Sequence, residues 1–96
     1  MAAFIVLEGG DASGKSTQAR QLADRLRSRG RDVVETFEPG ATQAGVAIRA
    51  LLLDGDGPID PMTEALLLAA DRPQEVAEIS RPALARGADV VSDRFV

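Results

Sequence analysis

Gly9-Gly10-Asp11-Ala12-Ser13-Gly14-Lys15-Ser16-Thr17 is the stretch that decides how this chain is read. Gly9, Gly14, Lys15 and Ser16 fill the pattern G-x-x-x-x-G-K-[ST]. The flanks are those the pattern requires. Phe4-Ile5-Val6-Leu7 is a short apolar run, a buried-strand candidate, and from Gln18 to Arg29 the residues Ala19, Leu22, Ala23 and Leu26 fall on one helical face. Glycines let the backbone close into a ring whose N–H groups point inward, and that ring with the helix N-terminus behind it is a concave positive site for phosphate oxygens. Lys15 adds a mobile point charge, and the Ser16 hydroxyl suits a hard cation. Lys15 is also the only lysine in a chain that otherwise uses arginine, which fits a position that needs a compact ammonium. The bland alternative is a glycine-rich turn that caps a helix and binds nothing; strand, motif and helix in register favour the cradle.

Outward from the loop, the chain alternates strands and helices. A strand is expected over about Ala3 to Leu7 and a helix to about Arg29, closed by Gly30. Asp32 to Phe37 reads as a second strand and Glu38-Pro39-Gly40-Ala41-Thr42 as a loop, with Thr42 capping a short helix from Gln43 to Leu53. Asp54 to Ile59 is rich in turn residues; its aspartates faintly suggest a calcium loop, but the other ligands are missing and a solvated loop is the better reading. Asp60 caps a further helix with Pro61 at its first position. Ala65-Leu66-Leu67-Leu68-Ala69-Ala70 is apolar nearly all round, so this helix is expected to be buried. Pro73 either opens a second segment or kinks the first, Pro82 bends the helix, and Gly87 ends it. Ala88 to Ser92 is a third strand, with Asp93 and Arg94 at its carboxyl end. This order predicts an α/β fold with a parallel sheet and flanking helices, of the phosphate-loop type. Ligands in such sheets bind beyond the carboxyl ends of the strands, where the loop, Glu38 and Asp93-Arg94 all fall.

Composition narrows the function classes. The chain has 96 residues, a net charge of −4 and 45% hydrophobic residues, enough for one small core. With no Cys and no His, thiolate chemistry, a disulfide framework and imidazole catalysis are excluded for these residues. Mild acidity argues against a nucleic-acid polymer as partner. No apolar run approaches the roughly 20 residues of a membrane span, and the N-terminal run is too short for a signal peptide. The expectation is a soluble cytoplasmic protein.

Four blocks carry a resemblance to thymidylate kinase of the bacterial type. Phe4 to Thr17 is similar to the family's first strand and loop. Glu38-Pro-Gly-Ala-Thr42 with Gly45 and Ile48-Arg49, Ala65-Leu-Leu-Leu-Ala-Ala-Asp-Arg72, and Val90-Val-Ser-Asp-Arg94 resemble its later blocks in the same order. The resemblance implies phosphoryl transfer from ATP to dTMP, giving dTDP, with Mg²⁺. It implies that Gly10, Asp11, Ala12, Ser13, Gly14, Lys15, Ser16 and Thr17 hold the ATP phosphates. Asp11 would also meet the acceptor's 3′-hydroxyl or a magnesium-bound water. Glu38 and Leu68 would line the dTMP site, Arg49 and Arg94 clamp the dTMP phosphate, and Arg72 meets the thymine edge. Asp93, with Ser16, would stand near the metal. Lys15, Asp11 and Arg94 are the implied catalytic residues, and a homodimer is the implied assembly.

On residues alone, Arg49 reads equally as a helix-terminal charge, and Asp93-Arg94 as a strand-end ion pair. Some positions depart from the family: Leu68 stands for its usual Phe, Phe37 for an Arg, Ala41 for a Gly and Phe95 for a Tyr. A ring lost at Leu68 removes about 1 kcal/mol of stacking. Family members are longer, so the resemblance further implies that residues 1–96 are the N-terminal part of a single nucleoside-monophosphate kinase domain, three strands of a larger sheet without its lid. Two alternatives stay open: another phosphate-loop kinase with a different small acceptor, and a non-catalytic ATP-binding module.

Overall fold

The computed structural model describes residues 2–9, 15–55 and 57–94. Gly10, Asp11, Ala12, Ser13 and Gly14, the side chains of Lys15 and Ser16, and Asp56 and Phe95 lie outside the described residues. The elements run β1 (Phe4–Glu8), α1 (Lys15–Ser28), β2 (Val33–Glu38), α2 (Gln43–Asp54), α3 (Pro61–Glu75), a π-helical turn (Val76–Ser80), α4 (Arg81–Ala85) and β3 (Asp89–Arg94). The strands form one parallel sheet in the order β1-β3-β2.

The central strand, β3, is buried from Asp89 to Asp93. A parallel strand covered on both faces needs apolar or fully satisfied side chains on both, and Val90 and Val91 supply one each. Val91 packs with Ala19, Ala23 and Val33, with Leu7, Leu22 and Leu26 around them, so α1 covers that face. Val90 packs with Ala83 and Ala88 against Val34 and Leu84, which places α4 on the other. The small alanines let the helix backbones approach the sheet closely. Burying a valine on such a face stabilises the fold by roughly 1.5–3 kcal/mol.

The helix ends follow the sequence signals. Gly30 and Gly87 both adopt positive φ, 81° and 90°. In each case the glycine N–H and the next N–H turn back onto the last helical carbonyls: Gly30 to Arg27 and Arg31 to Leu26, Gly87 to Leu84 and Ala88 to Ala83. Only glycine adopts this geometry cheaply. Thr42 caps α2 by accepting the Gly45 N–H, and Asp60 caps α3 by accepting that of Met62, with Pro61 in the first turn.

Pro73 lies inside α3 and does not divide it. The wide turn comes later, where the Arg81 N–H bonds to the Val76 carbonyl five residues back. Pro82 explains its position. Its ring has no N–H to donate and crowds the carbonyl four residues earlier, and a widened turn relieves both. The wide turn also fills a polar need. Glu75 is 2% exposed, and its Oε2 accepts from Ser80 Oγ at 2.6 Å and from Thr36 Oγ1 at 3.0 Å. In a regular helix, residues five apart sit about 140° apart around the axis; the π turn brings Ser80 back over Glu75.

The burial expected for Ala65 to Ala70 is not what the structure has. Leu66 is 61% exposed, Ala65, Ala69 and Ala70 are exposed, and Leu67 and Leu68 are half-buried. Among the described residues α3 packs mainly on α2 and runs on into the π turn, and neither covers its outer side. An apolar composition shows that a surface favours cover, and nothing in it states that cover is present.

At the amino edge of the sheet, Asp89 is fully buried and holds the ends together. Its Oδ1 accepts from Arg31 Nη2 at 2.7 Å and from the Ala3 N–H at 2.8 Å, and its Oδ2 accepts from Arg31 Nε. Arg31, with the Ala3 N–H behind it, pulls this carboxyl down to about 2.

Candidate active site at the carboxyl edge of the sheet

Parallel register sets the site. Glu8 on β1 and Glu38 on β2 both lie opposite Arg94 on β3. Three neighbouring strands thus end in a carboxylate–guanidinium–carboxylate row on one face of the sheet.

Glu38 organises that row. Its side chain is 7% exposed, and each oxygen takes one arginine: Oε1 accepts from Arg72 Nε at 3.0 Å, and Oε2 from Arg94 Nε at 2.7 Å. Using the Nε atoms leaves the Nη atoms of both guanidinium groups for other partners. Arg94 Nη1 donates to Glu8 Oε1 at 2.9 Å. Burial lowers the Arg94 pKa, but the hydrogen bonds it donates to Glu8 and Glu38 more than reverse this, so the group stays charged. The residues enclose a cavity of about 330 Å³, with Leu68 and Pro39 as its apolar wall and Glu8, Glu38, Asp71, Arg72 and Arg94 as its polar one.

The Glu38–Pro39–Gly40 turn is fixed from two sides. Arg49 Nη1 donates to the Pro39 carbonyl at 2.8 Å, and the Gly40 N–H donates to Asp71 Oδ1 at 3.1 Å. Asp71 is 1% exposed, and its Oδ2 has no partner among the described residues. Burial pushes this carboxyl up; the Gly40 N–H opposes the rise, the charge of Glu38 adds to it, and Arg72 and Arg49 counter. Gly45 lies directly beneath: a Cβ there would stand 2.5 Å from Asp71 Oδ1.

The sequence-derived residues therefore divide. Glu38, Leu68, Arg72 and Arg94 meet at one cavity. Arg49 is not among the side chains lining it and is engaged with the turn. Asp93, 6% exposed, faces the α1 side and lines a second cavity with Ala19, Arg20, Glu35 and Phe37. Alternation along a strand sends Asp93 and Arg94 to opposite faces. Lys15, Ser16 and Thr17 form the first turn of α1, which starts beyond the carboxyl end of β1. The geometry thus allows a phosphate donor at the helix N-terminus on one side of β3 and an acceptor in the arginine cavity on the other. A buried carboxylate at Asp93 beside that helix suits a cation held by few protein oxygens and by phosphates. No cluster of three or more metal-ligating side chains occurs among the described residues.

Two site residues escape sequence reading, Glu8 and Asp71. For Glu8 the available signal was its place at the carboxyl end of the first strand, level with Arg94. Asp71 lies within the Ala65–Arg72 block that carries the resemblance, but its role does not show there, because its partner turn comes from residues far away in sequence.

The comparisons agree with this geometry. The family model described as thymidylate kinase matches residues 7–96. Thymidylate kinases from Exiguobacterium sibiricum and Leifsonia xyli are 52% and 54% identical over 94 and 93 residues, each aligned over 97% of this chain and 44% of the relative. A crystal structure of thymidylate kinase from Ehrlichia chaffeensis superposes with a TM-score of 0.87 at 38% identity, over 98% of this chain and 53% of that one. The chain thus spans about half the length, or less, of the relatives it matches. The match over almost all of its residues, with the strand order and arginine-lined cavity described above, makes this chain a member of the thymidylate kinase family.

Proposed function

We propose that the protein to which these residues belong transfers the γ-phosphoryl group of ATP to dTMP, and that residues 1–96 are the N-terminal part of its single kinase domain. A dTMP phosphate oxygen forms the new P–O bond as the bond to the β–γ bridging oxygen breaks, and ADP leaves. The observation that carries the reading is the double pairing of Glu38, which directs Arg72 and Arg94 into one cavity on the carboxyl edge.

Phosphoryl transfer asks a protein chiefly for alignment and charge neutralisation. Gly10 to Thr17 would cradle the ATP phosphates, with Lys15 serving the β/γ oxygens, and Asp11 would meet the acceptor's 3′-hydroxyl or a magnesium-bound water. Arg94 binds the dTMP phosphate. Arg49 joins it by turning from the Pro39 carbonyl. Arg72 meets the thymine edge, with Leu68 against the ring. Ser16 and Asp93 would hold Mg²⁺, which would supply neutralisation of phosphate charge when bound. The assembly is a homodimer in the cytoplasm, and no helix among the described residues is long and apolar enough to cross a membrane.

Coupled ADP release by the intact protein tests this, with dTMP set against dUMP, dCMP, dGMP and AMP. A clear preference for dTMP is expected. Equal or greater turnover of another monophosphate would replace dTMP as the acceptor, an outcome that the aliphatic Leu68 wall makes worth testing.

A further inference from the structure

The row at the sheet edge has an imbalance. One guanidinium, Arg94, lies between two carboxylates, and counting Arg72 the paired charges cancel. A neutral cluster is a poor receptor for a doubly charged phosphate. The two carboxylates are also unlike. Glu38 is buried and held by two arginines, whereas the Glu8 side chain is 65% exposed and, among the described residues, accepts one hydrogen bond, from Arg94 Nη1. The Nε bond to Glu38 already fixes the Arg94 plane, so Glu8 contributes charge more than orientation. Exposed ion pairs are weak and readily opened.

We propose that Glu8 is a displaceable counter-anion: it occupies the Arg94 edge when the cavity is empty and yields it to the phosphate of the acceptor. The proposal rests on the acceptor reading above. It gives the site a threshold. A monoanion or a halide gains little by replacing a carboxylate already in place, whereas a phosphate dianion, with more charge and more acceptor oxygens, displaces it. Glu8 swings into solvent at small cost, and Glu38 keeps Arg94 aimed.

The test is calorimetric titration of the intact protein and its Glu8→Gln variant with dTMP, thymidine and inorganic phosphate, at low and high salt. Gln keeps an acceptor for Nη1 and removes only the charge. The variant should bind dTMP and inorganic phosphate about three- to tenfold more tightly at low salt, with the gain shrinking at high salt and thymidine unchanged. Unchanged or weaker dTMP binding by the variant would overturn the proposal and leave the acceptor reading standing. Tighter inorganic phosphate binding without any dTMP binding would uphold the counter-anion and remove the acceptor reading. Failure of both forms to bind either anion would remove both.

Discussion

Replacing Gly45 by alanine probes the support of the proposed acceptor cavity at its most crowded point. The new Cβ would lie 2.5 Å from Asp71 Oδ1, 3.0 Å from Thr42 Oγ1 and 3.1 Å from Gly40 Cα. None of these atoms retreats freely. Asp71 is buried and bonded to the Gly40 N–H, Thr42 holds the α2 cap, and Gly40 belongs to the turn that carries Glu38. Overpacking of this kind costs about 1–3 kcal/mol. If the Asp71 bond breaks, the orphaned Gly40 N–H adds about 1–3 kcal/mol. The helix-propensity gain of alanine over glycine returns at most about 1 kcal/mol. A net loss of about 2–3 kcal/mol lowers Tm by about 4–12 °C in a chain of about 150–250 residues. The turn shift should also raise the KM for dTMP several-fold and leave that for ATP unchanged. Thermal unfolding and the coupled assay read both effects, with Gly57→Ala as control, since nothing lies within 4 Å of a Cβ there. A Gly45→Ala protein as stable as its parent, with unaltered acceptor KM, would refute the packing of Asp71 and the turn on this glycine.

Further outcomes follow from the same contacts. Glu38→Ala removes the carboxylate shared by Arg72 and Arg94; steady-state kinetics should show dTMP KM up at least about tenfold, with ATP KM within about twofold, and denaturant unfolding a loss of about 1–3 kcal/mol, below the full buried-pair value because Arg72 is half exposed. At Asp71 the carboxyl is pushed up by burial, so the native state favours its protonated form and loses stability as pH rises through that titration. Asp71→Asn keeps an acceptor for the Gly40 N–H and should match or exceed the parent's stability at neutral pH, whereas Asp71→Ala should lose about 1–3 kcal/mol, both read by urea unfolding. Asp89 has the opposite sign. Its carboxyl is lowered from 3.8 to about 2 by Arg31, so its contribution is complete above the unfolded value and disappears as pH falls from about 4 toward 2. Arg31→Ala should flatten that part of the stability–pH curve.

Much of this was legible in the residues, for definite reasons. Strand limits followed from apolar runs ended by glycine or charge, and the caps at Gly30, Thr42, Asp60 and Gly87 are local chemistry that a sequence displays directly. The parallel order alone puts Glu38 and Arg94 on one edge. What escaped depends on long-range partners. The pairing of Glu38 with two arginines needs the β2–β3 register, and the burial of Glu75 needs a π turn set by a proline seven residues later. The exposure of Leu66 escaped because periodicity reports which face is apolar and is silent about what lies against it. Arg49 stood out by resemblance, yet it donates to the Pro39 carbonyl, which no sequence pattern announces.

In the proposed function Arg94, aimed by Glu38 at the end of β3, receives the phosphate of a thymidine nucleotide. Calorimetric titration of the intact protein and its Arg94→Ala variant with dTMP and with thymidine tests it most directly, the unfolding midpoint being read alongside. The account predicts that the variant loses at least about tenfold in dTMP affinity, as expected when a charged hydrogen-bond donor is removed from an anion, while thymidine binds both proteins alike. Equal dTMP affinity in parent and variant would contradict it.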